Sequence, residues 1–494
     1  MLRKLTKNVC LILCLTASQH ADAFTLWGPL EAWQTADLDY GLRFYYQNVD
    51  IGTRLGFQEN GGPKNFGEGS RLTTPIVTYG FDDTFLEYFG AQGVAAVESA
   101  MQVLNALPTA SSANLANFLT DGAQQINYTA QAVELMDLKS TVMWLMAQHM
   151  GLLGETHVYD LLLRYHSGAA ACDYEYYTIN RNYDPVTYEP TTYVNGRQYS
   201  YFIWDGCAIG VNVGDAIELP TDTTTTRFTA VATGQGLQFG GYYLNMTRDD
   251  MGGLQFLYNK GNYAFQGLDS NTVLTALGNS TWEAVNTTNE ITGVSNFFGL
   301  LGGVEKITFV KVNYDSLLNP GFTPITYHYT IPVVTNSRLS QLSVTRTITA
   351  PDVIFTAGDL IVSEAPANYT ALVMTNTFIQ TTYVSPGGGV TPSTINASLV
   401  VTLNNVGPII YNAFPGFMDS TNFLETPISN WGTFDGSTNP PIVYPNGFSL
   451  AEMEEEVLQG GTTAPLNPWA GVLNPNATNT TTTGAGAGAG AGIP

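Results

Sequence analysis

Basic residues are scarce in this chain. Lys and Arg number 18 against 41 Asp and Glu in 494 residues, a formal charge of −23. That balance excludes nucleic acid as a main partner, because such affinity comes from cations neutralising phosphates. Charged residues of both signs reach only 12%. Polarity rests instead on Thr, Asn, Ser, Gly and Tyr, as in many extracellular β-proteins. No G-x-S-x-G elbow, P-loop or dinucleotide glycine fingerprint occurs, which removes the usual hydrolase and nucleotide-binding signatures. Beyond residue 23 every apolar run is short or broken. A spanning helix needs ~20 apolar residues, so no transmembrane span is expected.

Cysteine is nearly absent too, with four. Two of these, Cys10 and Cys14, fall in a segment with the layout of a secretory signal peptide. A basic start (Arg3, Lys4, Lys7) leads into an apolar run from Val9 to about Ala17, and Ala21-Asp22-Ala23 gives the small-residue cleavage pattern. The mature chain is expected to begin at Phe24 and to be secreted or held outside the cytoplasm. The remaining pair, Cys172 and Cys207, then reads as a disulfide. Eight N-x-S/T sequons occur, at Asn127, Asn245, Asn279, Asn286, Asn368, Asn396, Asn476 and Asn479. They are glycan acceptors in a eukaryotic host and a by-product of composition in a bacterium.

What is present is organised unevenly. Residues 24–70 are rich in Gly and aromatics without period, which suggests an irregular segment lying over the next domain. Ile76-Val77-Thr78-Tyr79 reads as a strand, and Asp82 and Asp83 as helix caps. From Gly93, Val94, Val97, Met101 and Leu104 recur at helical spacing until Pro108. A longer helix is expected from about Ala130 to Leu153, with Gly154 as its stop. Thr191 to Ser200, centred on Asn195-Gly196, is a hairpin signal, because Asn-Gly suits the type I′ turn. Six further strands are expected at Lys306–Asn313, Ile325–Val334, Leu342–Thr349, Val353–Thr356, Ala371–Tyr383 and Ser398–Leu403. Their spacing suggests a β-sandwich. From about 420 the chain is rich in Pro, Gly, Asn and Thr, and it ends in Gly-Ala alternation, the composition of a flexible tail.

The expected organisation is therefore a signal peptide at 1–23 and an α+β domain at 24–295 with a Tyr-rich hairpin. A β-sandwich-like domain follows at 300–415, then a low-complexity tail at 420–494.

Residues 247–258, Thr-Arg-Asp-Asp-Met-Gly-Gly-Leu-Gln-Phe-Leu-Tyr, resemble the C-terminal helix of matrixin-type zinc metalloproteases. Thr247 would cap it, Asp249 and Asp250 sit in the first turn, and Met251, Leu254, Leu257 and Tyr258 form its buried stripe. The strand at 76–79 and the two helices after it come in that family's order, which implies a metzincin-like fold. The family carries H-E-x-x-H-x-x-G-x-x-H on its long helix, for zinc and a general base. Here Gly154 and His157 match, but the first two ligand positions are Ala147 and Gly151 and the base position is Gln148. The resemblance thus implies a lost zinc site. Only about 22 residues separate the two helices, too few for most of that family's sheet. Segments such as Ile76–Asn105 and Lys306–Asp359 are also similar to an uncharacterised family of predicted exported bacterial proteins, which implies no activity.

His149, His157 and His166 cluster within 18 residues and are the metal-ligand candidates, against the plainer reading of ordinary histidines. His149 and His157 would share a face only if the helix ran past Gly154. The acid pairs Asp82-Asp83 and Asp249-Asp250 read as caps, and Glu452–Glu456 as a solvated helical face. No catalytic residue is assigned, and no cofactor; zinc or calcium remain open. The expected function is a non-catalytic exported surface, matrix or binding protein of inactive metalloprotease ancestry, with an extracellular or cell-surface partner or with itself. The alternative is an exported metal-dependent, peptidase-like hydrolase centred on the three histidines.

Overall fold

A computed structural model describes residues 24–26, 71–155, 158–166, 170, 172–209, 214–224, 228–233, 237–268, 272–277, 298–314, 322–335, 338–357, 399–402 and 430–458. It also describes short pairs at 373–374, 383–384, 390–391 and 410–411. The expected signal peptide at 1–23, most of the segment at 24–70, His157, most of the strand expected at Ala371–Tyr383 and most of the expected tail lie outside them.

After the short strand β1 (Thr25–Leu26) comes β2 (Ile76–Phe81), β-branched and aromatic, and buried from Val77 onward. Asp82 then starts α1 (Asp83–Ala106), its Oδ1 accepting from Phe85 N at 2.9 Å. Two expected helical pieces merge here across a kink at Gly90, whose φ of +59° suits glycine. A Cβ at that position would also meet the Asn446 side chain at 2.7 Å.

The long helix expected over 130–153 does not form. The chain gives β3 (Gln124–Ile126), α2 (Tyr128–Ala132), β4 (Met136–Asp137), α3 (Leu138–His149) and β5 (Leu152–Leu153). Glu134 turns left-handed at φ 55°, and Met136-Asp137 extends to pair in parallel with Trp431 and Gly432. Gly151, at φ 101°, lies just past the helix end, ahead of the expected stop at Gly154. β5 then pairs with β1, Leu153 opposite Thr25.

Asp137 caps α3, with Oδ2 accepting from Ser140 N at 2.8 Å and Ser140 Oγ at 2.5 Å. Burial pushes its carboxyl up to about 6, against the pull of those bonds. The folded chain therefore holds this proton more tightly than the unfolded chain does. The group favours folding most at pH below its ordinary value of 3.8, and it costs stability as pH rises through about 6. An Asp137→Asn chain keeps the cap oxygen without the charge. Its melting temperature should lose less than that of the wild type between about pH 4 and about pH 7. Parallel melting curves would show that folding leaves the Asp137 pKa unshifted.

β6 (Tyr159–His166) and β7 (Tyr174–Asn180) form an antiparallel pair. The expected hairpin appears as β8 (Tyr193–Val194) and β9 (Arg197–Asp205), with Asn195 and Gly196 at φ 47° and 81°. β10 (Gly214–Pro220) pairs with β9 on the other side. A disulfide joins Cys172 to Cys207. β11 (Gly241–Tyr243) pairs with β3, and α4 (Arg248–Tyr258) follows with the reciprocal capping box of Thr247 and Asp250.

Beyond α4 lie β12 (Tyr263–Gly267), β13 (Thr272–Leu277), β14 (Phe298–Gly302), β15 (Thr308–Lys311), β16 (Ile325–Thr335), β17 (Arg338–Ile348) and β18 (Val353–Thr356). Two-residue strands β19 (Val373–Met374), β20 (Tyr383–Val384) and β21 (Val390–Thr391) precede β22 (Leu399–Thr402) and β23 (Ile410–Tyr411). The described chain closes with β24 (Trp431–Thr433), β25 (Ile442–Val443) and α5 (Leu450–Leu458), on which Glu452, Glu454 and Glu455 are exposed.

Of the strands expected to form a sandwich at 300–415, β15, β16, β17, β18 and β22 divide between two sheets. One sheet is parallel, in the order β15-β2-β18-β22, so its second strand comes from before α1 and the others from after α4. The other is antiparallel, β12-β14-β16-β17-β13, with Ile331, Val333, Leu342 and Val344 buried on one face and Thr326, His328 and Thr330 exposed on the other. Asp352 ties the two, accepting from Thr78 N at 2.8 Å and from the Arg346 guanidinium.

The main core lies where α1 meets the parallel sheet and α3. Phe81, Phe85 and Phe355 cluster there, with ring centroids 4.7 Å apart for Phe81–Phe85 and 5.8 Å for Phe81–Phe355. Trp431 and Tyr444 close it from the far end of the chain, against Phe89. The fold is mixed α and β. Among the described residues no helix is long and apolar enough to cross a membrane.

Candidate functional site

Of the three candidate histidines, His157 lies outside the described residues, and only His149 has a described side chain. His149 ends α3 at 1% exposed, and burial pulls its imidazole down to about 4, the nearby Asp352 opposing. It is neutral at physiological pH and sealed in the core. His166 lies on β6 opposite Tyr174, and His328 is exposed on β16 with Nδ1 2.8 Å from Thr345 Oγ1. Among the described residues no group of three His, Cys, Asp or Glu is placed to hold a metal. The positions that the matrixin resemblance would align with zinc ligands and base do not fit zinc. Ala147 and Gly151 offer no side-chain donor, and the Gln148 amide cannot act as a base at neutral pH.

The space beside those positions is filled by the chain itself. Residues 228–233 are all buried, and their segment lies along the C-terminal half of α3. Gln148 Nε2 donates to Ala232 O at 3.3 Å. The approach at Gly154 is so close that a Cβ there would lie 1.7 Å from Thr233 Oγ1. Any larger residue at 154 would push the segment away.

Two buried carboxylates hold this segment by its backbone. Glu155, fully buried, accepts from Thr229 N at 2.6 Å, Thr229 Oγ1 at 2.5 Å, Ala230 N at 2.8 Å and the Thr233 hydroxyl. Asp250 accepts from Val231 N at 3.0 Å, Ala232 N at 2.9 Å, Thr247 N at 2.9 Å and Thr247 Oγ1 at 2.5 Å. Four successive N–H groups, from Thr229 to Ala232, thus point at carboxylates, an anion-holding concavity of backbone dipoles. Tyr243 covers the other side, its hydroxyl donating to Ala230 O at 3.1 Å.

The burial shows in the electrostatics of the site. Burial holds the Asp250 carboxyl above the usual range despite its donors. Burial, reinforced by the Glu155 charge, pushes the Tyr199 and Tyr243 phenols up as well. Asn195, from the tip of the β8–β9 hairpin, completes the cluster. It is 3% exposed and contacts Thr229, Thr247 and Asp249.

The carboxylates, amide and hydroxyls of this arrangement are all buried. Together they work as a clamp that fixes the 228–233 segment, the hairpin tip and the start of α4 against the end of α3. The cap reading of Asp249-Asp250 captures part of its role, since Asp250 both caps α4 and reaches across to residues 231–232. Glu155, Asn195 and Thr229 carry no sequence signal that joins them. A small, partly open cavity of about 30 Å³, lined mainly by apolar side chains, lies between Leu104, Met150, Met251, Leu254 and Ile307. No protein-family model, curated protein or solved structure matches this chain.

Proposed function

We propose that this is an exported, non-catalytic surface, matrix or binding protein, whose N-terminal part descends from a metzincin-like peptidase that has lost its zinc site. One observation carries the reading. Gln148, which stands where that family has its general base, is bound to Ala232 O, and the 228–233 segment is clamped beside it by Glu155 and Asp250. A peptidase needs that space for its substrate.

Three features support the ancestry. β2, α1, α3 and α4 follow one another in the family's order. The short gap between α1 and α3 is offset by strands from after α4, because β15 and β18 complete the sheet around β2. The capped start of α4 and its buried Met251, Leu254, Leu257 and Tyr258 match the helix that carries the resemblance. Export rests on the leader-like segment at 1–23 and on the Cys172–Cys207 disulfide. With the cleft filled, activity of any kind falls to the surface, where an extracellular or cell-surface partner, or a second copy, is the ligand class.

Metal analysis tests this. Chain purified without chelator is expected to carry zinc far below one per molecule, and His157→Ala should leave that content unchanged. About one zinc per chain, lost in His157→Ala, would overturn the reading in favour of a hydrolase centred on His157.

A further inference from the structure

Asn195 occupies a position that needs an amide. Its Oδ1 accepts the backbone N–H of Asp249 at 3.1 Å, which fixes the oxygen end of the side chain. Its Nδ2 then donates to Thr229 Oγ1 at 3.1 Å and to Thr247 Oγ1 at 3.2 Å. Each of those hydroxyls has one proton, and each has already given it to an acid: Thr229 to Glu155 and Thr247 to Asp250, both at 2.5 Å. The bonds therefore run one way, from the amide through two hydroxyls to two carboxylates.

The next residue is Gly196, in the two-residue turn with φ of 47° and 81°. Glycine leaves its backbone nitrogen unhindered, so an Asn-Gly pair is the dipeptide most open to attack by that nitrogen on the side-chain carbonyl. We propose that Asn195-Gly196 is a deamidation site that the fold keeps silent, and that its conversion undoes the clamp.

In the reaction, Gly196 N bonds to Asn195 Cγ and the Cγ–Nδ2 bond breaks. Nδ2 leaves as ammonia with the proton from the backbone N–H. Water then opens the resulting succinimide at either carbonyl, giving aspartate or isoaspartate. The fold opposes each stage. Three hydrogen bonds tether both ends of the amide, the turn is locked, and the side chain is almost wholly shielded from water. After conversion, a carboxylate oxygen replaces Nδ2. It would face two hydroxyl oxygens whose protons are committed, and it would add a charge beside Glu155, Asp249 and Asp250. The isoaspartate product also lengthens the backbone inside a turn of fixed length.

The test follows the full chain at mildly alkaline pH, folded and in urea, with conversion at residue 195 read by peptide mass spectrometry. Conversion is expected to be at least about tenfold slower in the folded chain, since reaction waits on local opening. The Asn195→Asp chain is expected to melt well below wild type or not to fold. Equal conversion rates in the two states would overturn the proposal on wild-type protein alone. So would an Asn195→Asp chain that melts like wild type.

Discussion

Replacing Glu155 by Ala should lower folding stability by about 5 kcal/mol or more, because each buried donor left unpaired costs roughly 1–3 kcal/mol. The substitution strands Thr229 N, Ala230 N and the hydroxyls of Thr229 and Thr233. Asp250 cannot take them, since it is already engaged with Val231, Ala232 and Thr247. Glu155→Gln separates bonding from charge. Its oxygen can keep the Thr229 and Ala230 bonds, and only the Thr233 hydroxyl must reverse. Gln should therefore lose less than half of what Ala loses in denaturant midpoint. Equal losses would assign the effect to the charge. An Ala chain within about 1 kcal/mol of wild type would mean that water replaces the carboxylate, and the clamp would not be dry.

The second large effect is expected at Arg71. This guanidinium is 1% exposed and donates to three backbone carbonyls: Leu257 O at 2.6 Å, Asn262 O at 2.8 Å and Leu301 O at 2.8 Å. Leu257 O belongs to the last turn of α4, where carbonyls lack helical partners and a cation is favoured. Arg71 thus stitches the end of α4 to the loop before β12 and to β14. Burial pulls its pKa down only to about 10, so the charge persists at neutral pH. Arg71→Met keeps the bulk and leaves two buried acceptors and one part-buried acceptor unmatched, at a cost of about 4 kcal/mol. Arg71→Lys should fall between, because an ammonium on a flexible stem cannot copy the planar fork. Hydrogen exchange should speed up at the C-terminal end of α4 in the Met chain. Unchanged exchange there, with a stability loss under about 1 kcal/mol, would show that the three bonds carry no net weight.

Local signals were readable from sequence and distant ones were not. Asp82 caps α1, and Thr247 with Asp250 builds the capping box, because each depends on neighbours within four residues. The helix expected over 130–153 fails for a non-local reason. Met136-Asp137 has a partner in Trp431-Gly432, almost 300 residues on, and pairing overrides helical preference. The division of 300–415 between two sheets is hidden in the same way, since nothing in Phe309 or Val353 names Val77 or Tyr79 as a partner. At the clamp, it was legible that Ala147 and Gly151 offer no metal ligand and Gln148 no base. What fills the space beside them was not, because Glu155 and Thr229 meet only after the chain has folded.

The threading of the parallel sheet bears on how the chain is made. Synthesis proceeds from the N-terminus, so β2 emerges long before its neighbours β15 and β18. For more than 200 residues of growth, Ile76–Phe81 is an apolar strand with both edges unpaired, the kind of segment that joins other chains. Such a high contact order slows the closing step, because loop entropy must be lost before the sheet repays it. Crowding nascent chains together should therefore cost yield at the β2 stage, and a holding chaperone for this protein would have most to do before residue 308 appears.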